Sequence, residues 1–153
     1  MAELDYPMLL VTTRAAGELD GCLVGFSTQC SIRPPRFLVG LSDKNRTFRA
    51  ARQAEALAVH LVPAGAEELA ELFGGETQDE VDKFARCRWR PGPGDLPILE
   101  DCPNWFAGRI LERLALGDHV GFVLEPFAVS RDDRDPGFIS FQQVRRMEPG
   151  HEA

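Results

Sequence analysis

The sequence predicts a mainly β fold of the α+β class, a barrel with short helices inserted in its middle. Three observations carry that expectation. Short apolar runs bounded by Gly, Pro and Asp recur toward both ends of the chain, the mark of strands. Helix-forming composition is confined to the stretch between them. The strand candidates are long and offer apolar residues on both faces, which favours closure into a barrel over an open sheet. Strands and helices do not alternate regularly and no G-x-G-x-x-G follows the first strand, which argues against a doubly wound α/β fold.

Pro7–Arg14, rich in Leu, Val and Thr, reads as a buried strand, and Ala15–Asp20, with Gly17, as a hairpin turn. Gly21–Ile32 reads as one second strand. Its alternate positions Cys22, Val24, Phe26, Thr28 and Cys30 share a face. Pro34 and Pro35 end it, since neither has an N–H for a ladder, and Arg36–Leu41 is the third strand. Thr47–Ala56 then reads as a helix and Leu57–Val62 as a strand. Glu67–Phe73 and Asp79–Ala85 read as two short helices around Gly74-Gly75, and Arg90–Pro97 as a Pro/Gly surface loop. Asn104–Leu114 and His119–Val129 are long strands joined by a turn at Gly117, and Phe138–Gln142 is the last strand before a polar tail. With no repeat and no linker, residues 1–153 are expected to form a single domain.

The net charge of −7 argues against a nucleic-acid partner and against an anionic membrane surface. Acidic Glu3 and Asp5 precede the first apolar run, which does not fit a signal peptide, and no run reaches the ~18 residues of a membrane span. Cys22, Cys30, Cys87 and Cys102 form no C-x-x-C pair, so no metal site is expected and the thiols read as reduced, in a cytoplasmic protein.

Three segments are suited to chemistry. Ser42-Asp43-Lys44-Asn45-Arg46-Thr47-Phe48 follows a strand and opens a helix. A cap at Asn45 or Thr47, with the cations Lys44 and Arg46 beside it, makes a phosphate site. A solvated helix cap with two surface cations is the plain alternative. Gly25-Phe26-Ser27-Thr28-Gln29-Cys30-Ser31 is polar for a strand built for burial. It would let a flat heterocycle approach the backbone, or it is an edge strand facing water. Gly117-Asp118-His119 puts a histidine at a strand start, where it would orient a nicotinamide or exchange a proton, or simply bond local backbone. His60 reads as a satisfied structural histidine, Trp89 and Trp105 as core or interface residues, and no G-x-S-x-G marks a hydrolase.

In order along the chain, the segments resemble the flavin reductase-like proteins with an FMN-binding split barrel, over about Pro7 to Gln142. The carriers are the early strand ending Val11-Thr12-Thr13 and Thr28-Gln-Cys-Ser-Ile-Arg-Pro-Pro35, which is similar to T-S-V-S-x-x-P-P. Next come Asn45-Arg46-Thr47, similar to S-R-T, and Asp82-Lys83-Phe84, similar to D-K-F. The central loop at Trp89–Pro93 and Pro97–Glu100, the turn Gly117-Asp118-His119 and the final Phe138-Ile-Ser-Phe141 complete the set. The resemblance implies a homodimer holding FMN, with FAD as the other candidate. The ring would be bonded by Phe26, Ser27, Thr28, Gln29, Cys30 and Ser31, and the phosphate end by Ser42, Lys44, Asn45, Arg46 and Thr47. Lys83 and Phe84 come from the D-K-F match. NADH or NADPH would be the co-substrate, with His119 as catalytic residue where hydride passes to flavin N5, and in many members a monooxygenase receives the reduced flavin. The chain departs from the family's T-A-S-S-F at Leu23–Ser27, where Gly25 and Phe26 replace two hydroxyl side chains, and Gln29 stands where serine is usual. That departure motivates two other functions. One is a flavin-binding carrier or electron relay without NAD(P)H turnover, and the other a flavoenzyme with its own organic substrate.

Overall fold

The computed structural model describes residues 1–75 and 81–145. Seven strands form one sheet in the order β2-β1-β5-β8-β9-β4-β3: β1 Leu9–Ala15, β2 Glu18–Val24, β3 Ser27–Ser31, β4 Arg36–Ser42, β5 Ala56–Leu61, β8 Trp105–Ala115 and β9 His119–Ser130. Every pairing between neighbours is antiparallel. The sheet curls so that the interiors of both its ends meet. Cys22 and Val24 of β2 pack in one buried cluster with Val39 and Leu41 of β4, around Val11, Leu57, Val59, Phe122 and Leu124. No ladder joins β2 to β3 or β4, so the barrel is split along that seam.

The first hairpin turns through Ala16 and Gly17, both at positive φ (51° and 80°), as a two-residue turn between twisted strands requires. The strand expected over 21–32 is two strands. β2 follows β1 as far as Val24↔Leu9, whereas β3 pairs with β4 from Ser27↔Val39 onward. The chain changes partner at Gly25-Phe26, and the Gly40 N–H donates to the Phe26 carbonyl at 2.7 Å to fix the corner.

The helix α1, Arg46–Ala51, is shorter than the expected 47–56. Its carbonyl end is stopped by Arg113, whose guanidinium donates to Ala51 O and Ala54 O at 3.1 and 2.7 Å, and Ala56 already belongs to β5. α2 spans Glu67–Gly75 as its composition indicates, with Ala70, Leu72 and Phe73 buried. Of the helix expected over 79–85, residues 79 and 80 lie outside the described residues. Lys83–Ala85 forms a single 3-10 turn. The Pro/Gly segment is more than a surface loop. Its flanks, β6 Trp89–Pro91 and β7 Pro97–Leu99, pair with each other, and Leu96, Ile98 and Leu99 are buried.

The last expected strand, 138–142, also differs. Only Ser140 bridges to Pro7, and α3 follows at Phe141–Val144. Gln143 explains the switch, since its side chain accepts from the Ser140 N–H at 2.7 Å and closes a helix start. The two terminal segments therefore clasp each other. Met8 N–H donates to Ile139 O, Phe141 N–H to Tyr6 O, and the Gln142 amide to Ala2 O and Leu4 O, all at 2.7–2.8 Å. Behind β1, a second cluster under α2 collects Met8, Leu10, Phe73, Phe84, Leu99 and Ile139.

His60 ties the barrel to β7. It is fully buried, its Nδ1 bonds Leu10 O at 2.9 Å, and the Leu99 N–H donates to Nε2 at 3.1 Å. An N–H can donate only to a bare nitrogen, so the ring is neutral with its proton on Nδ1. Burial pushes its pKa down to about 4. The expectation of a structural histidine holds. No helix among the described residues is long and apolar enough to cross a membrane.

Candidate functional site

β4 and β9 end side by side, with Ser42 opposite His119 in the ladder. The chain enters β9 through a tight turn at Gly117, whose φ of 138° is open to glycine and strained for other residues. The Asp43 N–H donates to Asp118 O at 3.0 Å and locks this turn to the end of β4. His119 thus stands at the rim of the barrel, half-buried, with Nδ1 2.7 Å from an Asp118 carboxylate oxygen. A carboxylate only accepts, so Nδ1 carries a proton and Nε2 is left to take up or give one. The same bond holds the Asp118 carboxyl below the usual carboxylate range.

Past Ser42 the chain makes the turn that starts α1. Asn45 caps the helix by accepting from the Thr47 N–H at 2.9 Å, and Lys44 N–H reaches Ser42 Oγ at 3.4 Å. Thr47 is buried and donates its hydroxyl to Asp20 at 2.8 Å. Arg46 pairs with the other Asp20 oxygen through Nε at 3.1 Å and with Glu18 at 3.5 Å. Burial raises the pKa of Asp20 despite the Thr47, Gly21, Arg46 and Lys83 contacts that oppose it. The turn is therefore braced from beneath by an acid, with Lys44 exposed above it.

A cavity of about 190 Å³ opens beside this junction. Of the residues singled out in the sequence, it gathers Phe26, Ser42, Asn45 and His119. The Phe26 ring lies 4.8 Å from the His119 ring, tilted by 56°. Ser27 lines a different cavity, between the start of β1 and the ends of β5 and β9. Thr28, Gln29 and Cys30 are exposed on β3, with Ser31 half-buried. β3 is an edge strand, so the N–H and C=O groups along its outer side have no ladder partner among the described residues. Lys83 and Phe84 are interior. Lys83 is 3 % exposed and donates to Gly21 O and Phe73 O at 3.3 and 3.2 Å, while Phe84 packs edge-on against Phe73 and Trp89. Neither reaches the cavity wall.

Sequence reasoning missed Tyr6, Met8 and Phe141, which close the far side of the cavity. They arrive there only through the clasp between the terminal segments, which no local pattern announces. Cys22 also borders the cavity, but burial pushes its thiol up to about 11, so it offers no thiolate at neutral pH.

Residues 1–148 match the family described as "Flavin reductase like domain". The chain belongs to that family. Among the curated relatives of this flavin reductase-like chain is the FMN reductase (NADH) RutF of Enterobacter sp. strain 638. It is 31 % identical over 119 residues, covering 76 % of this chain and 72 % of that one. An FMN-binding protein from Thermus thermophilus, solved with 1-cyclohex-2-enone, shares the fold at a TM-score of 0.81 and 26 % identity, over 87 % of this chain and 74 % of that one. The Streptomyces globisporus NADH:FAD oxidoreductase SgcE6, solved with NAD and FAD fragments, superposes at a TM-score of 0.82. It is 19 % identical, over 99 % of this chain and 87 % of that one, and this likeness concerns the fold. The flavin reductase-like architecture is thus the FMN-binding split barrel that the sequence resembles.

Proposed function

We propose that this chain is an NAD(P)H-dependent flavin reductase that binds FMN, or FAD in its place. The observation that carries the reading is the meeting, where Ser42 of β4 stands opposite His119 of β9, of a cationic capped turn and a histidine held by Asp118, with the exposed edge of β3 running along the neighbouring length of β4. These residues fit a flavin. The unpaired edge of β3 offers N–H and C=O groups for the rim of a heterocycle, and the Thr28 hydroxyl is exposed alongside. Lys44 and Arg46 at the 42–47 turn suit a phosphate. The flavin, when bound, supplies the two-electron acceptor at N5. The chain's own part is placement: His119, held through Nδ1 by Asp118, orients the nicotinamide and offers Nε2 to take up or give a proton within the site.

RutF and SgcE6 are named for reactions with NADH, which supports the nicotinamide half of the reading. The reading takes the whole chain as one domain, working in the cytoplasm as a homodimer and passing reduced flavin to an oxygenase component. Support for a second copy is the apolar surface of the β8–β9 hairpin, where Leu111, Leu114, Leu116, Phe127 and Val129 are exposed. The four cysteines are free, in keeping with a reducing compartment.

The test is the visible spectrum of the purified protein after FMN addition and desalting, then NADH or NADPH without oxygen. Flavin that stays bound and bleaches supports the reductase. Flavin that stays bound and does not bleach favours a carrier or relay, a reading supported by the departure from the family pattern at Gly25-Phe26, the corner that leads into β3. If no flavin survives desalting, fluorescence titration decides. Absence of binding there overturns both.

A further inference from the structure

A carboxylate that flavin reduction does not call on lies buried beneath the turn that opens α1. Asp20 of β2 is 3 % exposed. One of its oxygens accepts from the Thr47 hydroxyl and from the Gly21 N–H, both at 2.8 Å. The other takes the Nε of Arg46 at 3.1 Å. Lys83, whose ammonium sits on Gly21 O and Phe73 O, is near enough for its charge to favour the ionised acid. Enclosing a carboxylate costs free energy, and an apolar side chain would fill the same place at less cost. The helix start is already capped without it, by Asn45. What the charge adds is a fixed bearing for Arg46. A guanidinium is a planar fork, so holding its Nε sets the plane and turns the two terminal nitrogens away from the acid. Nη2 reaches the exposed carboxylate of Glu18 at 3.5 Å, a loose surface pair that a phosphate can displace.

We propose that Asp20 is a positioning residue for the phosphate end of the flavin, holding the Arg46 fork in place from beneath through Nε. This rests on the reading of the chain as a flavin-binding reductase. Placement and charge pull in opposite directions here. An acid close behind a cation offsets part of its charge, so its removal would by itself strengthen the binding of an anion. A loose arginine must be ordered each time the phosphate binds, and a fork already fixed avoids that cost. Placement outweighs charge, because water at the surface screens the phosphate from the acid beneath, whereas the long arginine side chain has much rotamer freedom to lose.

The test measures FMN and riboflavin affinity by fluorescence titration of the full chain. Asp20→Asn keeps an oxygen for Thr47 and Gly21 but turns an amide N–H toward the Arg46 Nε, so the fork comes loose. It is expected to weaken FMN about fivefold to tenfold, and riboflavin, which has no phosphate, by less than about twofold. Glu18→Gln removes an equal charge from the exposed side of the same arginine and should leave FMN within about twofold. Arg46→Ala removes what Asp20 acts on, so adding Asp20→Asn to it should cost FMN nothing further. Arg46→Lys tests the same point without touching the buried acid. It keeps the charge, loses the fork, and should weaken FMN over riboflavin to a similar extent. General damage to the fold weakens both flavins alike, so the ratio of the two affinities separates placement from instability. Unchanged or tighter FMN in Asp20→Asn overturns the proposal. So do an equal loss of both flavins, the same further loss in the Arg46→Ala background, or full FMN binding by Arg46→Lys. A parent that NADH or NADPH bleaches, with an unchanged ratio in Asp20→Asn, removes the positioning role and leaves the reductase standing. A parent that binds neither flavin sinks both.

Discussion

His60 and His119 sit on strands of the same sheet and have opposite lives. His60 is enclosed, both ring nitrogens engaged by backbone groups of Leu10 and Leu99. His119 is at the rim, one nitrogen on Asp118 and the other without a hydrogen-bond partner among the described residues, with an aromatic ring against its side. The contrast shows that residue type does not decide the role. What decides it is whether the second nitrogen has a partner inside the protein. In the interior, a fixed partner makes the imidazole a strut. At the rim, a nitrogen without a partner among the described residues is open to solvent or to a ligand.

The sharpest way to break this contrast is His60→Ala. It opens a hole and leaves the buried Leu99 N–H without an acceptor, so a loss of roughly 3–4 kcal/mol is expected in urea unfolding. FMN affinity of the folded fraction should stay near the parent's. A loss below about 1 kcal/mol would deny His60 its structural role.

Acid should act through the same residue. Its folded pKa of about 4 lies below the ordinary 6.5. Above that ordinary value neither state takes the proton. Between the two values only the unfolded chain does, so stability is full near neutrality and falls as the pH drops through this window. Below about 4 the folded state is protonated too, and this contribution to the loss stops growing. The total is on the order of 3 kcal/mol. Unfolding curves at pH 7 and 4.5, for the parent and for His60→Gln, isolate it, since the variant lacks this titration.

At the rim, His119→Ala should leave stability nearly unchanged and slow anaerobic flavin reduction about 100-fold, with FMN affinity little altered. Equal stopped-flow rates for variant and parent would remove His119 from the chemistry. The smallest expected effect belongs to Arg46→Ala. It should weaken FMN by about 2 kcal/mol and riboflavin, which lacks the phosphate, by much less. Equal weakening of both ligands would confine Arg46 to its pairing with Asp20 and Glu18.

Much of the barrel was legible because β1, β4 and β5 bury short apolar runs and the long β8 and β9 are set off by the turn at Gly117. β1, β4, β5, β8 and β9 lie within a residue or two of where those runs placed them. The break at Gly25-Phe26 was not legible, because the alternation continues through it. Only the change of ladder partner from β1 to β4 reveals it. The helix at Phe141 had a readable signal in the Ser140-Phe-Gln-Gln143 spacing, which the apolar run Phe138–Phe141 obscured. Around the cavity, Ser42, Asn45 and His119 stand out because turn chemistry is local. Tyr6 and Phe141 do not, since their pairing depends on contacts 135 residues apart in sequence. Lys83 shows the reverse error: a cation within a matching motif reads as a ligand contact, yet its ammonium is enclosed by Gly21 O and Phe73 O.

The clasp between the terminal segments has a practical reach. Tyr6 and Phe141 are held in place by a few backbone bonds among residues 2–8 and 139–142. A purification tag joined at residue 1, or a protease that trims residues 138–145, therefore works directly on one wall of the cavity beside His119. Preparations differing only at their ends should differ in how they hold a small guest in that cavity, and those trimmed past Ile139 should also lose stability, since Ile139 is buried in the second core cluster.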